Sequence, residues 1–401
     1  MTAKKNIFAV IGGAGAMGRI CVRDLAEFSS SADKILIADY DYPKAQILAD
    51  SFKSPQISAV HVDVTNLEQT TKALHGATVI INCIQYQLNL AVMMAALKLR
   101  AHYIDLGGLF HMTRKQLTFD SEFKQIKRLA LIGMGAAPGI TNILSRLGAD
   151  ELDRVTEIHT RVAGRDFTKY SNRPALPVSY SLQTILEEFS MEPAVFTKGK
   201  FRFVRPMSGD ELHSFPAPVG KCRPMYTLHS EVATLPLSFM PKGVKEVSFK
   251  IAFDPEFIER VRFLRDLGLA SHDPLEVSGV KVKPIEVVNK IAMSQPSASP
   301  IGKLKQHEIV RAIVKGKKAK NPITVILDCH TEGFPKWGVG TDINTGSPPA
   351  IAARMLVNGE IKGAGVLPAE ITVPPDLFLQ ELEKRKMWVN VKREKGWDYP
   401  T

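Results

Sequence analysis

One glycine-rich turn constrains this chain more than any other feature. It lies in FAVIGGAGAMGRI, Phe8 to Ile20, between an apolar run and a helical stretch. Gly13, Gly15 and Gly18, with Ala16 and Met17 before the last, fit G-x-G-x-x-G. The first two glycines permit a tight turn and close approach of the backbone to a pyrophosphate. The third lets the helix pack closely on the strand, and the helix N-terminus faces the phosphates. A methyltransferase also places glycines after its first strand, but the three-glycine spacing favours a dinucleotide. Asp39 ends the next apolar run, KILIAD, about twenty residues beyond Gly18. A carboxylate there accepts hydrogen bonds from the ribose hydroxyls and repels a 2′-phosphate. The expected cofactor is NAD, with NADP possible through Arg19 or Lys44.

The same alternation continues through the first third of the chain. KNIFAVIG, DKILIAD, SAVHVDV, ATVIINCI, AHYIDLGG and LALIGMG read as buried strands, with segments of helical period between them. Such a βαβ series predicts an α/β Rossmann fold, a doubly wound parallel sheet with helices on both faces. After Leu144 the pattern changes. VTEIHTRVAG, FRFVRP, EVSFKIAF, VSGVKVKP, EIVRAIVK and ITVILDC predict a second α+β domain with a mainly antiparallel sheet. GSPPAIAARMLVNGE then reads as a helix, with Ser347 as its cap and Gly359 as its stop. The tail is expected to return to the first domain. The expected division is 1–138 with 346–401 for the dinucleotide domain and 139–345 for the substrate domain.

The net charge of +11 raises the question of an anionic partner. Its densest basic run, VKGKKAKNP, lies between two apolar stretches, as the tip of a hairpin would. No aromatic residues interleave there to stack bases, so no nucleic acid is expected. No apolar run approaches the roughly 20 residues of a membrane helix, and no membrane partner is expected. The start is polar, and four scattered cysteines show no metal or redox spacing. These features predict a cytoplasmic setting and no metal, and the expected assembly is a homodimer. There is no G-x-S-x-G elbow and no H-E-x-x-H, so hydrolase chemistry has no support.

GGAGAMG, INCIQYQLN, YIDLGG, GMGAAPGITNIL, PVSYSLQTILEEF and the tail GSPPAIAARML with GAGVLPAE resemble the saccharopine dehydrogenase family across nearly the whole chain. Lys198 to Val325 is the weakest part of that resemblance. YIDLGG and the alanine before Pro138 suit the lysine 6-dehydrogenase branch. Saccharopine reductases tend to carry aspartate where this chain has Ala137. The resemblance implies a nicotinamide-dependent oxidoreductase acting on a carbon–nitrogen bond of an amino-acid or imino-acid substrate. A carboxynorspermidine-type imine reductase is the alternative, and a cofactor-binding sensor without chemistry is the competing class.

Several positions are candidates for the site. Asp63 and Val64, Cys83 and Gln85, and Gly107 and Gly108 follow the third, fourth and fifth strands, at the edge where the cofactor is expected. Tyr86 stands where nicotinamide should lie. Asp105 is placed to take a proton from an amine, to orient a substrate ammonium, or to cap the following turn. A second glycine turn, Gly133 to Gly139, ends the sixth strand. It either borders the same crevice or serves only as a tight crossover, and the two can hold together. Pro138, Gly139, Thr141 and Asn142 open a helix whose free N–H groups would suit a carboxylate. His229 and Glu231 lie in HSEVATLP, which resembles a family stretch near substrate. Arg173 and Tyr180 lie in a loop that resembles the substrate-facing one, where Arg173 is either a partner for a carboxylate or an ordinary surface arginine.

Overall fold

A computed structural model describes residues 5–172, 174–176, 181–296 and 298–396. Each of the first six apolar runs forms a strand. They are β1 (Ile7–Ile11), β2 (Lys34–Asp39), β3 (Ile57–His61), β4 (Val79–Asn82), β5 (His102–Asp105) and β6 (Leu129–Ile132). Between them lie α1 (Ala16–Phe28), α2 (Tyr42–Ser51), α3 (Leu67–Ala73), α4 (Asn89–Leu99), α5 (Leu109–Leu117) and α6 (Asp120–Gln125). All these pairings are parallel, in the order β6-β5-β4-β1-β2-β3. The four residues of β4 and of β6 are buried throughout, as strands with helices on both faces must be. The order reverses between β1 and β4, and ligands bind at such a switch point, beyond the carboxyl ends of the strands.

α7 (Ile140–Asp150) carries the chain out of this sheet and packs on the second one. β7 (Arg154–Asp166), β8 (Tyr170–Asn172), α8 (Leu182–Ser190), β9 (Ala194–Thr197) and β10 (Lys200–Phe203) come first. β11 (His213–Ser214), β12 (Lys221–Cys222), β13 (Met225–Tyr226), α9 (Glu231–Phe239) and β14 (Glu246–Ala252) follow. α10 (Pro255–Asp266), β15 (Leu275–Val277), β16 (Val280–Val282) and α11 (Pro284–Met293) form a lobe beside α8. β17 (Ser299–Pro300), β18 (Gln306–Lys318) and β19 (Asn321–Thr331) complete this part, and the basic run is the tip of the β18–β19 hairpin. The main order is β10-β9-β14-β7-β18-β19-β21. Only the β14–β7 pairing is parallel, so the sheet is mixed and mostly antiparallel.

The tail supplies α12 (Ile343–Val357), β20 (Gly365–Pro368), α13 (Ala369–Thr372), α14 (Pro375–Glu383) and β21 (Met387–Lys395). β20 adds to β6 as a seventh parallel strand. α12 lies across α1 so closely that a Cβ at Gly346 would sit 2.5 Å from Ile20. Two features differ from the sequence expectation. First, α12 begins at Ile343, so Ser347, Pro348 and Pro349 lie inside it. Its early start brings Gly346, the residue that allows close approach, against α1. Second, 346–401 divides between the sheets. β21 pairs with β19 from Ile323 to Thr331 and becomes the outer strand of the second sheet. The tail is locked to α1 by Arg385, whose Nε and Nη2 both donate at 2.6 Å to the Asp24 carboxylate, with both residues fully buried. Among the described residues no helix is long and apolar enough to cross a membrane.

Candidate active site

The first glycine turn has the shape that a dinucleotide needs. A Cβ at Gly18 would lie 2.0 Å from the Gly12 carbonyl oxygen, and one at Gly13 would lie 2.9 Å from the Val10 carbonyl oxygen. Only glycine permits the helix to start this close to β1. Gly15 is exposed at the N-cap of α1, whose first turn carries no acidic side chain to compete with a phosphate. Asp39 ends β2 as expected, and its Oδ2 accepts from Ala14 N at 3.0 Å while Oδ1 accepts from Asp41 N at 3.0 Å. The carboxylate thus braces the turn. Exposed Tyr40 follows it and packs against His61, an aromatic pair that the sequence reading missed. Asp63 accepts from Thr65, while buried Val64 lies beside it at the end of β3. The Cys83 backbone packs on Gly12, and exposed Gln85 precedes the short turn that starts at Tyr86. These positions lie at the carboxyl ends of β1 to β4, around the glycine turn.

Lys44, one of two cations considered for NADP, is paired with Asp41 at 2.7 Å, while Arg19 is exposed.

Asp105 has a different place from an exposed base. It is 1% exposed. Its Oδ1 accepts from Gly133 N at 2.7 Å and Gly107 N at 2.9 Å, and its Oδ2 from Tyr103 at 2.9 Å and Gln116 at 2.5 Å. Burial pushes its carboxyl above the ordinary value, against the pull of these donors. One carboxylate therefore ties the loop after β5 to the turn after β6, and its lone pairs are taken by the fold. It caps the turn, as one reading had it, in place of the catalytic role also expected of it.

The second glycine turn also departs from expectation. Gly139 N donates to Asn142 Oδ1 at 3.1 Å, and the amides of Ile140 and Thr141 donate to the carbonyls of Gly135 and Ala136. The first amides of α7 are thus satisfied within the turn and offer no free anion site. Physically, the turn doubles back, with Gly135 and Gly139 in direct backbone bridging, and covers the helix start. Pro138, Gly139, Thr141 and Asn142 are all buried. They form a floor instead of a mouth, where Pro138 and Asn142 line a void of about 10 Å³ together with Thr113, Gly133, Ser230 and Thr234, room for a single water.

The floor supports a polar chain. Thr141 donates to Glu231 Oε1 at 2.8 Å, and the other oxygen of Glu231 binds His229 Nδ1. The His229 ring stacks on Phe249, with centroids 3.8 Å apart. Burial disfavours the imidazolium, but the charge and hydrogen bond of Glu231 outweigh it and hold His229 above its ordinary value. Gly108 N donates to Ser230 Oγ at 3.2 Å, joining this chain to the loop after β5. Asn142 donates to the buried carboxylate of Glu370 in α13, so the tail also reaches the floor.

Across from it, α8 brings two carboxylates that were not singled out in the sequence, Glu187 and Glu188, 2% and 4% exposed. Gln87 donates to both oxygens of Glu187 at 3.0 Å, and His272 approaches it at 2.8 Å. Burial, with Glu187 beside it, pushes the Tyr86 hydroxyl far above its ordinary value. Glu188 lies near enough to His229 to favour its charge. The available signal was LQTILEEF itself. With Leu182, Ile185, Leu186 and Phe189 buried, two adjacent glutamates cannot both find a solvent face. Arg173 and Tyr180 lie outside the described residues. Among those described, no group of three or more His, Cys, Asp or Glu is placed to hold a metal ion.

Residues 8–131 match the family model for the saccharopine dehydrogenase NADP binding domain, and residues 135–387 match that for the saccharopine dehydrogenase C-terminal domain. The chain belongs to the saccharopine dehydrogenase family. It is a nicotinamide-dependent oxidoreductase of that family. It is 25% identical to carboxyaminopropylagmatine dehydrogenase of Synechocystis, over 93% of this chain and 94% of that protein. It is 23% identical to carboxynorspermidine synthase of Vibrio cholerae, over 96% and 95%. The fold is similar to apo saccharopine dehydrogenase (L-Glu forming) from Saccharomyces cerevisiae, with a TM-score of 0.70 at 16% identity, over 97% of this chain and 100% of that one. The family boundary near residue 135 falls in the second glycine turn, where α7 leaves the first sheet.

Proposed function

We propose that this saccharopine dehydrogenase family member reduces an imine formed between an amino acid bearing an aldehyde and an amine. The product is a secondary amine that keeps the amino acid's carboxylate. The observation that carries this reading is the set of carboxylates gathered around Tyr86 and His229, namely Glu187, Glu188 and Glu231. Their negative field suits a substrate rich in ammonium or guanidinium groups. The full-length relatives are named for carboxylated amines of this kind.

The reduced nicotinamide supplies the hydride, and the glycine cradle with Asp39 holds its dinucleotide. The protein's further tasks are to hold the imine carbon against that hydride and to put a proton on the imine nitrogen. His229 is suited to the second task, because Glu231 keeps it protonated. The experiment offers an aldehyde-bearing amino acid with a diamine or agmatine, and follows loss of NAD(P)H and the mass of the product. A secondary amine supports the reading. Turnover only with lysine and oxidised cofactor would replace it with the lysine 6-dehydrogenase reading, suggested by YIDLGG and Ala137. Stoichiometric cofactor binding with no turnover of any amine would favour the sensor.

The cofactor form follows from Asp39. NADH is expected to bind more tightly than NADPH, since the 2′-phosphate would meet a carboxylate that already braces Ala14. Asp39→Ala should narrow the difference. Fluorescence titration with both cofactors checks this. Tighter NADPH binding by the unmodified chain would overturn it and direct attention to Arg19.

A further inference from the structure

We infer that Glu187 is the seat for the far cationic group of the amine partner, and that His272 fills this seat until a substrate displaces it. This deepens the imine-reducing reading and rests on it for the amine as ligand. α8 is anchored by Leu182, Ile185, Leu186 and Phe189, all buried. Successive helix residues diverge by about 100°. Glu188 acts on His229, while its neighbour Glu187 meets the turn after β4 and the lobe of α10 and α11. The Glu187 carboxylate is buried, and most of its partners are neutral. Gln87 Nε2 donates to both oxygens at 3.0 Å, Gln183 Nε2 donates to Oε1 at 3.1 Å, and the Tyr86 hydroxyl donates to the same carboxylate. Among the described residues no lysine or arginine pairs with it. The group that can bring it a positive charge is His272, whose Nε2 lies 2.8 Å from Oε1.

A carboxylate held out of water is costly unless an opposite charge joins it. Amides and a hydroxyl lower that cost without supplying the charge, and an imidazole supplies it only when protonated. A permanent ammonium or guanidinium is therefore the stronger occupant. Two features make His272 the partner that yields. Its side chain is 52% exposed while that of Glu187 is 2% exposed, so the histidine moves out into water at little cost. The docking of the lobe does not depend on this contact either. α10 and α11 pack on α8 and bury Phe257, Ile258, Val261 and Ile285. The seat also stands at a useful remove from the proton donor. The α-carbons of Glu187 and Glu188 are about 3.8 Å apart, and Glu188 acts on His229. An amine with its reacting nitrogen at His229 would thus carry a second cation to Glu187 a few carbons further on. The carboxylate selects diamines and guanidino amines over amines with a single nitrogen.

Calorimetric titration of the NADH-loaded chain with a four-carbon diamine and with butylamine, which lacks the far ammonium, tests this. The unmodified protein is expected to bind the diamine about tenfold or more tightly than butylamine, the scale of one hydrogen bond to a charged group. Glu187→Gln should erase that preference. His272→Ala should tighten the diamine, because the competing imidazole is gone. In turnover, Glu187→Gln should raise KM for the diamine far more than it lowers kcat. Binding is read without turnover, so a seat that fails and an imine reduction that fails are separate results. Equal binding of the two amines by the unmodified protein, or a preference that survives Glu187→Gln, would overturn the seat. Diamine binding that His272→Ala leaves unchanged or weakens would overturn the displacement. Should Glu187→Gln fail to fold, the unmodified protein and His272→Ala, a change at a half-exposed position, still decide.

Discussion

Glu231→Gln is expected to lower kcat for imine reduction by roughly 10²–10⁴-fold, the usual worth of a positioned acid or base. It should also move the pH profile towards acid. In the unmodified protein burial disfavours the charged His229 ring, and Glu231 overcomes it. The proton therefore stays on His229 above its ordinary value, and reduction should slow only as pH rises through that elevated pKa. With glutamine at 231 the anion is gone and burial remains. Burial is then opposed by Glu188 alone, so the pKa falls and less of the acid form survives at neutral pH. His229→Gln should lose the alkaline limb altogether. Thr141 is a positioning residue here, because its hydroxyl holds Glu231 Oε1 at 2.8 Å. Thr141→Val should shift the limb less than Glu231→Gln does. A kcat–pH profile of each variant is the measurement. An unmoved alkaline limb in Glu231→Gln would leave the pair with only a structural part.

Arg385→Leu is expected to destabilise the folded chain by about 3–5 kcal/mol, the cost of stranding one partner of a buried ion pair. Both partners are fully buried, and the guanidinium also stacks over Phe28 at 4.0 Å and donates to Glu381. Removing it leaves the Asp24 carboxylate inside the core with its main donors gone. The paired change Asp24→Leu with Arg385→Leu should recover most of the loss, because the stranded charge is removed with its partner. Burial already raises the Asp24 carboxyl above its ordinary value, with Arg385 pulling it down. In Arg385→Leu that pull is lost. The folded state then holds a proton that the unfolded state releases. Stability should fall as pH rises from the unfolded pKa through the raised folded one, and the penalty should be smallest in acid. Urea unfolding at two pH values measures this. A loss well under about 1 kcal/mol, within the range of ordinary surface changes, would show that the tail is not locked through this pair.

Near Glu187 the limits of the sequence are plain. Its helix was legible from LQTILEEF, yet which partner it meets depends on the loop after β4 and on the lobe around His272, about a hundred and eighty-five residues apart in the chain. Asp105 shows the same limit. Its position at the end of β5 was readable, but a carboxylate at a strand end serves equally as an open base or as a closed brace. The amides of Gly107 and Gly133 decided for the brace.

By itself the sequence determined the parallel sheet, the dinucleotide cradle, the change to a mainly antiparallel sheet and the place of the second glycine turn. Those follow from local rules. Period separates strand from helix, and glycine spacing dictates where backbone can approach backbone. Tertiary structure alone decided that the first amides of α7 are already satisfied and that β21 forms the outer strand of the second sheet. It also placed His229, Glu231 and Thr141 in one hydrogen-bonded chain. Each of these is a pairing between distant segments, and a polar group's role is set by the partner that reaches it when water is excluded. No spacing along the chain encodes that partner.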